Sequence, residues 1–124
     1  MRILALSAYY PPDTIGGYEW AAHAVLSRLQ QRGHAVQVLC GRPSAPDLAK
    51  DDIWQRLQRV GIPHEKTSVP ANNHLGLLRA YLHNYRCILE AVNECKPDII
   101  YGWGCANLTP AVIAGLEASD VPVV

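Results

Sequence analysis

The chain has 124 residues, enough for one domain, and its 49% hydrophobic content favours a buried core over disorder. Eleven basic side chains balance eleven acidic ones, so the charge expected of a nucleic-acid binder is absent. The sequence contains no run of the roughly 18 apolar residues that a membrane span needs, and its short apolar start does not fit a signal peptide. We therefore expect a cytoplasmic protein.

The four cysteines are Cys40, Cys87, Cys95 and Cys105, and none of them forms a C-x-x-C pair. Such pairs are typical of metal and redox sites. The favoured interpretation is that these are reduced thiols packed in the interior, and a disulfide or a metal role is the alternative.

The first half of the chain predicts two strands around one helix. Residues 3–8 form an apolar run typical of a strand covered on both faces. Residues 17–32 repeat apolar side chains every three or four positions, which predicts a helix ended by Gly33. Residues 35–40 predict the second strand.

The middle of the chain gives a weaker pattern and then a strong one. We predict a weak helix over residues 48–60 and a third strand within 65–69. Residues 74–95 predict the longest helix, which Lys96 and Pro97 end. The apolar seam of this helix is expected to comprise Leu75, Leu78, Leu82, Tyr85, Leu89 and Val92.

The last part adds a strand, a helix and a strand. Residues 98–103 predict the fourth strand, and 121–124 the fifth. Thr109 is the predicted N-cap, with Pro110 at the first position of a helix that runs to Glu117. The alternation predicts an α/β fold: a three-layer αβα Rossmann-like domain with a parallel sheet of about five strands in the order 3-2-1-4-5.

The strand order also predicts where a ligand binds. Ligands of such sheets lie beyond the carboxyl ends of the strands where the order reverses, here between the first and fourth strands. The loops concerned are residues 10–17, which we call the glycine loop, and residues 102–109, which we call the fourth-strand loop.

Gly16 and Gly17 stand directly before the first predicted helix. A helix N-terminus offers unpaired N–H groups and about half a positive charge, which suits phosphate. The alternative is a tight turn that needs positive φ and binds nothing. Neither G-x-G-x-x-G nor a Walker loop is present, so bound NAD and P-loop chemistry are not supported.

Four passages together resemble family-4 retaining glycosyltransferases of the GT-B fold. They are P-P-x-x-x-G-G-x-E at residues 11–19, LQQRGHAVQV at 29–38, KPDIIYGWG at 96–104 and DVPVV at 120–124. Tyr101 stands where the family usually has histidine, which puts a histidine role there in doubt.

The resemblance implies that residues 1–124 are the amino-terminal, acceptor-side domain of a two-domain enzyme of carbohydrate or cell-envelope biosynthesis. A donor domain beyond Val124 would hold the catalytic residues, so none is expected here and the isolated domain should be inactive. The amides of Gly16 and Gly17 would contact the distal phosphate of a nucleoside-diphosphate sugar. The resemblance implies no cofactor and no metal, because preorganised dipoles stabilise the leaving group.

Further candidates for acceptor binding or loop ordering are Asp13, Glu19, Trp103 and Asn107. The presence of Asp13 is explained equally well by the preference of aspartate for turns. That of Glu19 is explained equally well by the preference of acids for the first turn of a helix. Core packing is the alternative for Trp103.

A stripe of Arg79, His83 and Arg86 lies beside the apolar seam. It is either a solvated face or a contact for a membrane or a lipid-linked acceptor. An exposed cleft face would also favour self-association of the isolated domain.

Two other functions stay open. A nucleotide-sugar 2-epimerase shares the two-domain architecture, and a non-catalytic Rossmann-like binding or assembly module shares the fold.

Overall fold

The computed structural model describes residues 1–43 and 53–124. Strands and helices alternate along the chain, and residues 44–52, between the second and third strands, lie outside the described residues. In chain order they are β1 (Arg2–Ser7), α1 (Gly17–Gln31), β2 (Ala35–Gly41), β3 (Ile53–Leu57), α2 (His74–Cys95), β4 (Ile99–Gly102) and α3 (Ala111–Ala118).

The four strands form one parallel sheet in the order β3-β2-β1-β4, with β1 central. Leu4 and Leu6 pack on one face with Ile88 of α2, and Ile3 packs on the other face with Leu26 of α1. Both faces of β1 are therefore buried, as its unbroken apolar run predicts. The three-layer fold and the central first strand are confirmed.

The fifth predicted strand is present as a single parallel bridge between Val123 and Ile100. The N–H of Val124 donates to the Ile100 carbonyl over 3.0 Å, on the side of β4 away from β1. The backbone of residues 121–124 thus lies beside β4, where the fifth strand was predicted, but these residues form a single bridge and not a strand.

The prediction for the third strand was wrong. Residues 53–57, placed within a weak helix, form β3 parallel to β2. Their buried ends, Ile53 and Leu57, are four positions apart, a spacing that fits one face of a helix and one face of a strand equally well. Residues 65–69 form no strand; Val69 makes one bridge to Val60. Residues 48–52 of the predicted helix lie outside the described residues.

The bounds of α2 are confirmed and Val92 of the expected seam packs against the core, but the first three leucines of that seam face solvent. Leu75, Leu78 and Leu82 are 59%, 56% and 47% exposed. The buried side chains lie on the opposite face and are Ala80, Asn84, Cys87, Ile88 and Ala91. Within the described residues, no helix is long and apolar enough to cross a bilayer.

Hydrogen bonds of Asn84 explain why α2 turns this face inward. Its side chain accepts from the Gln58 N–H (2.7 Å) and donates to the Gln58 carbonyl (2.9 Å) and to the Thr109 hydroxyl (3.2 Å). A buried amide needs such partners, so the face that carries it is fixed towards the end of β3. Small neighbours such as Ala80 and Ala91 then allow close packing.

The predicted N-cap of α3 is wrong by one residue. Pro110 is the N-cap and Ala111 begins the helix. The Thr109 hydroxyl accepts from Asn84 instead of capping the helix, while its carbonyl accepts from the Val112 N–H over 3.0 Å. The Thr109 side chain is therefore bonded to Asn84 of α2 and does not cap α3.

The end of α1 agrees with the prediction for Gly33, which has φ +85°. The His34 N–H donates to the Leu29 carbonyl (3.1 Å) and the Gly33 N–H to the Gln30 carbonyl (2.9 Å). This is a Schellman motif, whose left-handed position favours glycine.

All four cysteines carry free thiols, as expected. Cys40 and Cys87 are buried, and Cys95 and Cys105 are partly buried. Burial raises the pKa of Cys40 to about 12 and that of Cys105 to about 11, so these thiols are protonated and unreactive near neutral pH.

Candidate functional site

The glycine loop and the fourth-strand loop lie side by side at the carboxyl edge of the sheet. The Trp103 N–H donates to the Leu6 carbonyl, and the Ala8 N–H to the Gly104 carbonyl, each over 2.8 Å. The pairing of β1 with β4 therefore continues beyond the strands and joins the two loops. This is the place where the strand order predicts a ligand.

The backbone of the glycine pair is unstrained and open. Gly16 is the N-cap of α1 with φ −169° and ψ −162°, an extended conformation, and Gly17 begins the helix. A Cβ added at Gly16 would lie 3.9 Å from Glu19 Oε2, and one added at Gly17 would have no neighbour within 4 Å. Positive φ occurs at neither glycine. The alternative of a turn that requires positive φ is therefore wrong.

Glu19 holds the start of α1. Its side chain is buried, and Oε2 accepts from the Gly16 N–H over 3.0 Å. The carboxylate thus orders the loop and also complements the helix dipole, so both explanations offered for Glu19 apply. With the Gly16 N–H already bonded, the next donors at the helix start are those of Gly17 and Tyr18, which lack intrahelical partners.

Trp103 joins β4 to α1 through aromatic contacts. Its ring centroid is 5.4 Å from that of Tyr18, edge to face, and 5.2 Å from that of Tyr101. Gly104 leaves room for this contact, since a Cβ there would lie 3.3 Å from the Tyr18 ring. The packing that was the alternative for Trp103 is present, and its role in acceptor binding stays a prediction. Its buried indole N–H has no hydrogen-bond partner in the described residues.

Asp13 and Asn107 both contact the segment that follows β3. The Asp13 Oδ2 atom is 2.8 Å from Arg59 Nη1, and the Asp13 N–H donates to the Tyr10 carbonyl over 3.0 Å. The Asn107 carbonyl accepts from the Val60 N–H over 2.9 Å. Asp13 therefore makes a turn hydrogen bond and an ion pair, and Asn107 contacts this segment through its backbone carbonyl.

Arg59 is the residue of this site that sequence reasoning missed. It is 1% exposed, and its Nε lies 3.0 Å from Glu65 Oε2 in an ion pair whose angle is not that of a hydrogen bond. Its Cζ is 4.2 Å above the Tyr9 ring. Local periodicity placed Arg59 near the end of a weak helix. Its two acidic partners gave no signal, because Asp13 lay in a predicted loop and Glu65 in the predicted third strand.

Tyr9 is kept neutral beneath the glycine loop. Burial first, and then the hydrogen bond and the negative charge of Glu65, raise the pKa of Tyr9 to about 12. Arg59 acts in the opposite direction but does not outweigh them. Tyr9 is therefore a neutral packing partner for the guanidinium at physiological pH.

A groove of about 350 Å³ runs along the other side of the glycine loop. His23 of α1 faces it, with its ring centroid 5.7 Å from that of Tyr10 and 6.0 Å from that of Trp20. The proline pair of the loop, joined by a cis peptide bond, forms part of the wall. The groove adjoins the start of α1 and has the mixed aromatic and polar lining that suits a sugar-like ligand.

A parallel α/β sheet with an open helix N-terminus at its switch point defines a Rossmann-like domain suited to a phosphate-bearing ligand. The sequence model of Glycosyltransferase Family 4 matches residues 15–124, and the chain belongs to that family. The family expected from the four sequence passages is confirmed, and the chain is a glycosyltransferase family 4 domain.

Individual relatives agree with this assignment. Glycogen synthases of two strains of Mycobacterium tuberculosis are 30% identical to this chain over 138 aligned residues. The alignment covers 100% of this chain and 32% of each glycogen synthase. The crystal structure of Acinetobacter baumannii MurG matches the fold with a TM-score of 0.59 at 24% identity, over 98% of this chain and 33% of MurG. The chain thus spans about a third of the length of these proteins.

Proposed function

We propose that this chain is the amino-terminal, acceptor-side domain of an enzyme that transfers a sugar from a nucleoside-diphosphate sugar to an acceptor. The N-terminus of α1, at Gly16 and Gly17, contacts the donor's diphosphate. A second domain beyond Val124 holds the rest of the donor. Membership of Glycosyltransferase Family 4 supports the reaction class.

One observation carries the assignment of the phosphate site: the fold itself does not need the glycine pair. Neither glycine has positive φ, and a Cβ at either would meet no clash. A glycine in a helix N-terminal turn costs conformational entropy, so its presence calls for another reason. Close approach of a ligand to the backbone is such a reason, and the helix start favours an anion.

The chemistry follows from where charge develops. As the bond between the sugar's anomeric carbon and the diphosphate breaks, negative charge grows on the distal phosphate. The acceptor oxygen forms the new bond to the anomeric carbon, and its proton passes to the departing phosphate. The N–H groups of Gly17 and Tyr18 point along the helix axis and stabilise that charge without reorganisation. Glu19 fixes the loop through Gly16. Such donors do the work of a metal ion, and we propose a reaction without metal or cofactor.

The direct test uses the full-length protein with UDP-, ADP- and GDP-linked hexoses and a panel of sugar acceptors. We expect release of nucleoside diphosphate that depends on an acceptor and yields an elongated product. Release of a free 2-epimeric sugar without elongation would identify the epimerase instead. Binding of nucleotide sugars without any turnover would support the non-catalytic module.

The outer face of α2 supports a proposal about the acceptor's surroundings. Leu75, Leu78 and Leu82 project into solvent, and the exposed Arg79 and Arg86 flank them. An apolar stripe beside cations fits an anionic lipid surface. We propose that the enzyme binds such a surface peripherally and meets a lipid-linked acceptor there. Tyr81, also exposed, adds an amphipathic ring of the kind that favours the lipid–water interface.

Vesicle sedimentation tests this surface with phosphatidylcholine alone and with added phosphatidylglycerol. Leu78→Gln should weaken binding to the anionic vesicles by at least about tenfold, because one leucine's burial is worth about 1.5–3 kcal/mol. Ile113→Gln is the matched control, an exposed apolar residue on α3. Equal binding of both variants would contradict the proposal. Light scattering would show whether Leu78→Gln instead abolishes self-association.

The thiols support a cytoplasmic location. Four free cysteines, two of them buried, are usual where thiols stay reduced. Cell fractionation of the full-length protein should recover it with the cytoplasm or the inner face of its membrane. Recovery from an oxidising compartment would contradict this.

A further inference from the structure

Arg59 lies where the carboxyl ends of β1, β2 and β3 converge. Its guanidinium donates to the Ala8 carbonyl after β1 over 3.4 Å and to the Arg42 carbonyl after β2. The same group pairs with Asp13 of the glycine loop and with Glu65 of the segment after β3. One side chain therefore contacts the segments that follow three neighbouring strands.

The fold makes room for this side chain at Gly41. A Cβ added there would lie 2.9 Å from both Arg59 Cγ and Cδ, and 2.4 Å from the Ala8 carbonyl oxygen. Those distances are shorter than real Cβ contacts allow. The end of β2 thus accommodates Arg59 only with glycine at this position.

The two ion pairs of Arg59 have different consequences. The pair with Asp13 reaches the segment that leads, three residues later, to the N-cap Gly16. The pair with Glu65 reaches a segment on the far side, which has no contact with α1 among the described hydrogen bonds and ion pairs. Removing either partner leaves a buried charge without one counter-ion, so their effects on stability are comparable. Only the first reaches the glycine loop itself; Glu65 also accepts a hydrogen bond from Tyr9, one residue before that loop, and glutamine at position 65 would keep an acceptor for it.

We propose that Arg59 is a positioning residue for sugar transfer: through Asp13 it holds the glycine loop and the start of α1 in the place that the donor's diphosphate requires. This inference rests on the proposed function. The planar guanidinium suits the task, since it binds two carboxylates and two carbonyls at fixed angles, which an ammonium group cannot do. Asp13 is accordingly a link to the loop and does not bind the acceptor.

The kinetic test compares Asp13→Asn with Glu65→Gln in the full-length protein. Asp13→Asn should lower kcat about 10²-fold, the loss expected from a displacement of about 1 Å, and leave the KM for the acceptor within about twofold. Glu65→Gln, the matched control, should lower kcat less than about threefold at a similar fall in Tm. Equal kcat losses, or a raised acceptor KM in Asp13→Asn, would overturn the inference.

A second measurement does not depend on activity. The Gly16 amide hydrogen bonds to Glu19, so its hydrogen-exchange rate reports the order of the loop. We expect exchange at least about tenfold faster in Asp13→Asn and in Arg59→Lys, and unchanged in Glu65→Gln. Unchanged exchange in both Asp13→Asn and Arg59→Lys would overturn the inference. If the wild type transfers no sugar, the proposed function fails, while exchange still decides whether Arg59 orders the loop.

Discussion

The two ends of α1 both carry glycine, but the backbone requires it at only one of them. Gly33 at the end of the helix has φ +85° and belongs to a Schellman motif, so the backbone itself requires it. Gly16 and Gly17 at the start have no positive φ and no crowding. Conformation and free space therefore distinguish a glycine that the fold requires from one that it does not require. A sequence shows the residue type and hides this difference.

The largest expected effect comes from blocking the start of α1. Gly16→Val in the full-length protein should lower turnover by about 10²–10³, because the new side chain would keep the diphosphate away from the N–H groups of Gly17 and Tyr18, and losing a donor to a developing anion has a cost of this size. Its free energy of unfolding should change by less than about 1 kcal/mol, because valine can adopt the extended backbone. Steady-state kinetics and urea denaturation check both. A variant that simply unfolds would show that the glycine is structural.

Next comes Gly41, a glycine that crowding requires. Gly41→Ala should lower the free energy of unfolding by about 2–3 kcal/mol, because the new Cβ forces apart Ala8 and Arg59. Gly17→Ala is the matched control, with open space around the new methyl group. Urea denaturation of the two variants provides the comparison. An equal stability for both would contradict the packing described here.

A smaller effect is expected at the end of α1. Gly33→Ala should cost about 1–2 kcal/mol, since alanine is strained in the left-handed region. The turnover of the folded enzyme should stay within about twofold, because Gly33 lies at the opposite end of the helix from the proposed phosphate site. Measuring Tm and kcat on the same samples tests the contrast with Gly16→Val. A large loss of turnover here would remove the distinction between the two ends.

The smallest effect is expected at Glu19. Its hydrogen bond to the Gly16 N–H holds the start of α1, where neither glycine has positive φ. Glu19→Gln keeps an acceptor for the Gly16 N–H but loses the charge. The free energy of unfolding should fall by about 0.3–1 kcal/mol, the usual size of a charge–dipole contact. Denaturation at low and high salt should show the difference shrinking as salt rises. A difference that does not depend on salt would assign Glu19 a packing role alone.

Local sequence patterns were enough for the elements that are regular by themselves. The apolar run of β1 and the periodicity and end signals of α1 and α2 determine their positions within a residue or two. The pattern of β3 was ambiguous because Ile53 and Leu57 fit both periods. Residues 53–57 form a strand because they pair with β2, and local periodicity carries no information about pairing with another segment of the chain.

The parts of the site that sequence missed depend on contacts between distant residues. Asn84 reverses the face of α2 through bonds to Gln58 and Thr109. Arg59 meets Asp13 across 46 positions of the chain. Neither leaves a periodic signal, because a buried polar residue is specified by its partners in space. The glycine pair was visible in the sequence, but only the structure shows that neither glycine has positive φ.

The central claim is that the N–H groups at the start of α1 bind the donor's diphosphate. The most direct measurement is a two-dimensional amide NMR titration of the full-length protein with UDP, ADP and GDP. We expect the largest saturable shifts on the amides of Gly17 and Tyr18, and we expect Gly16→Val to abolish them. Saturable binding that leaves those two amides unmoved would contradict it.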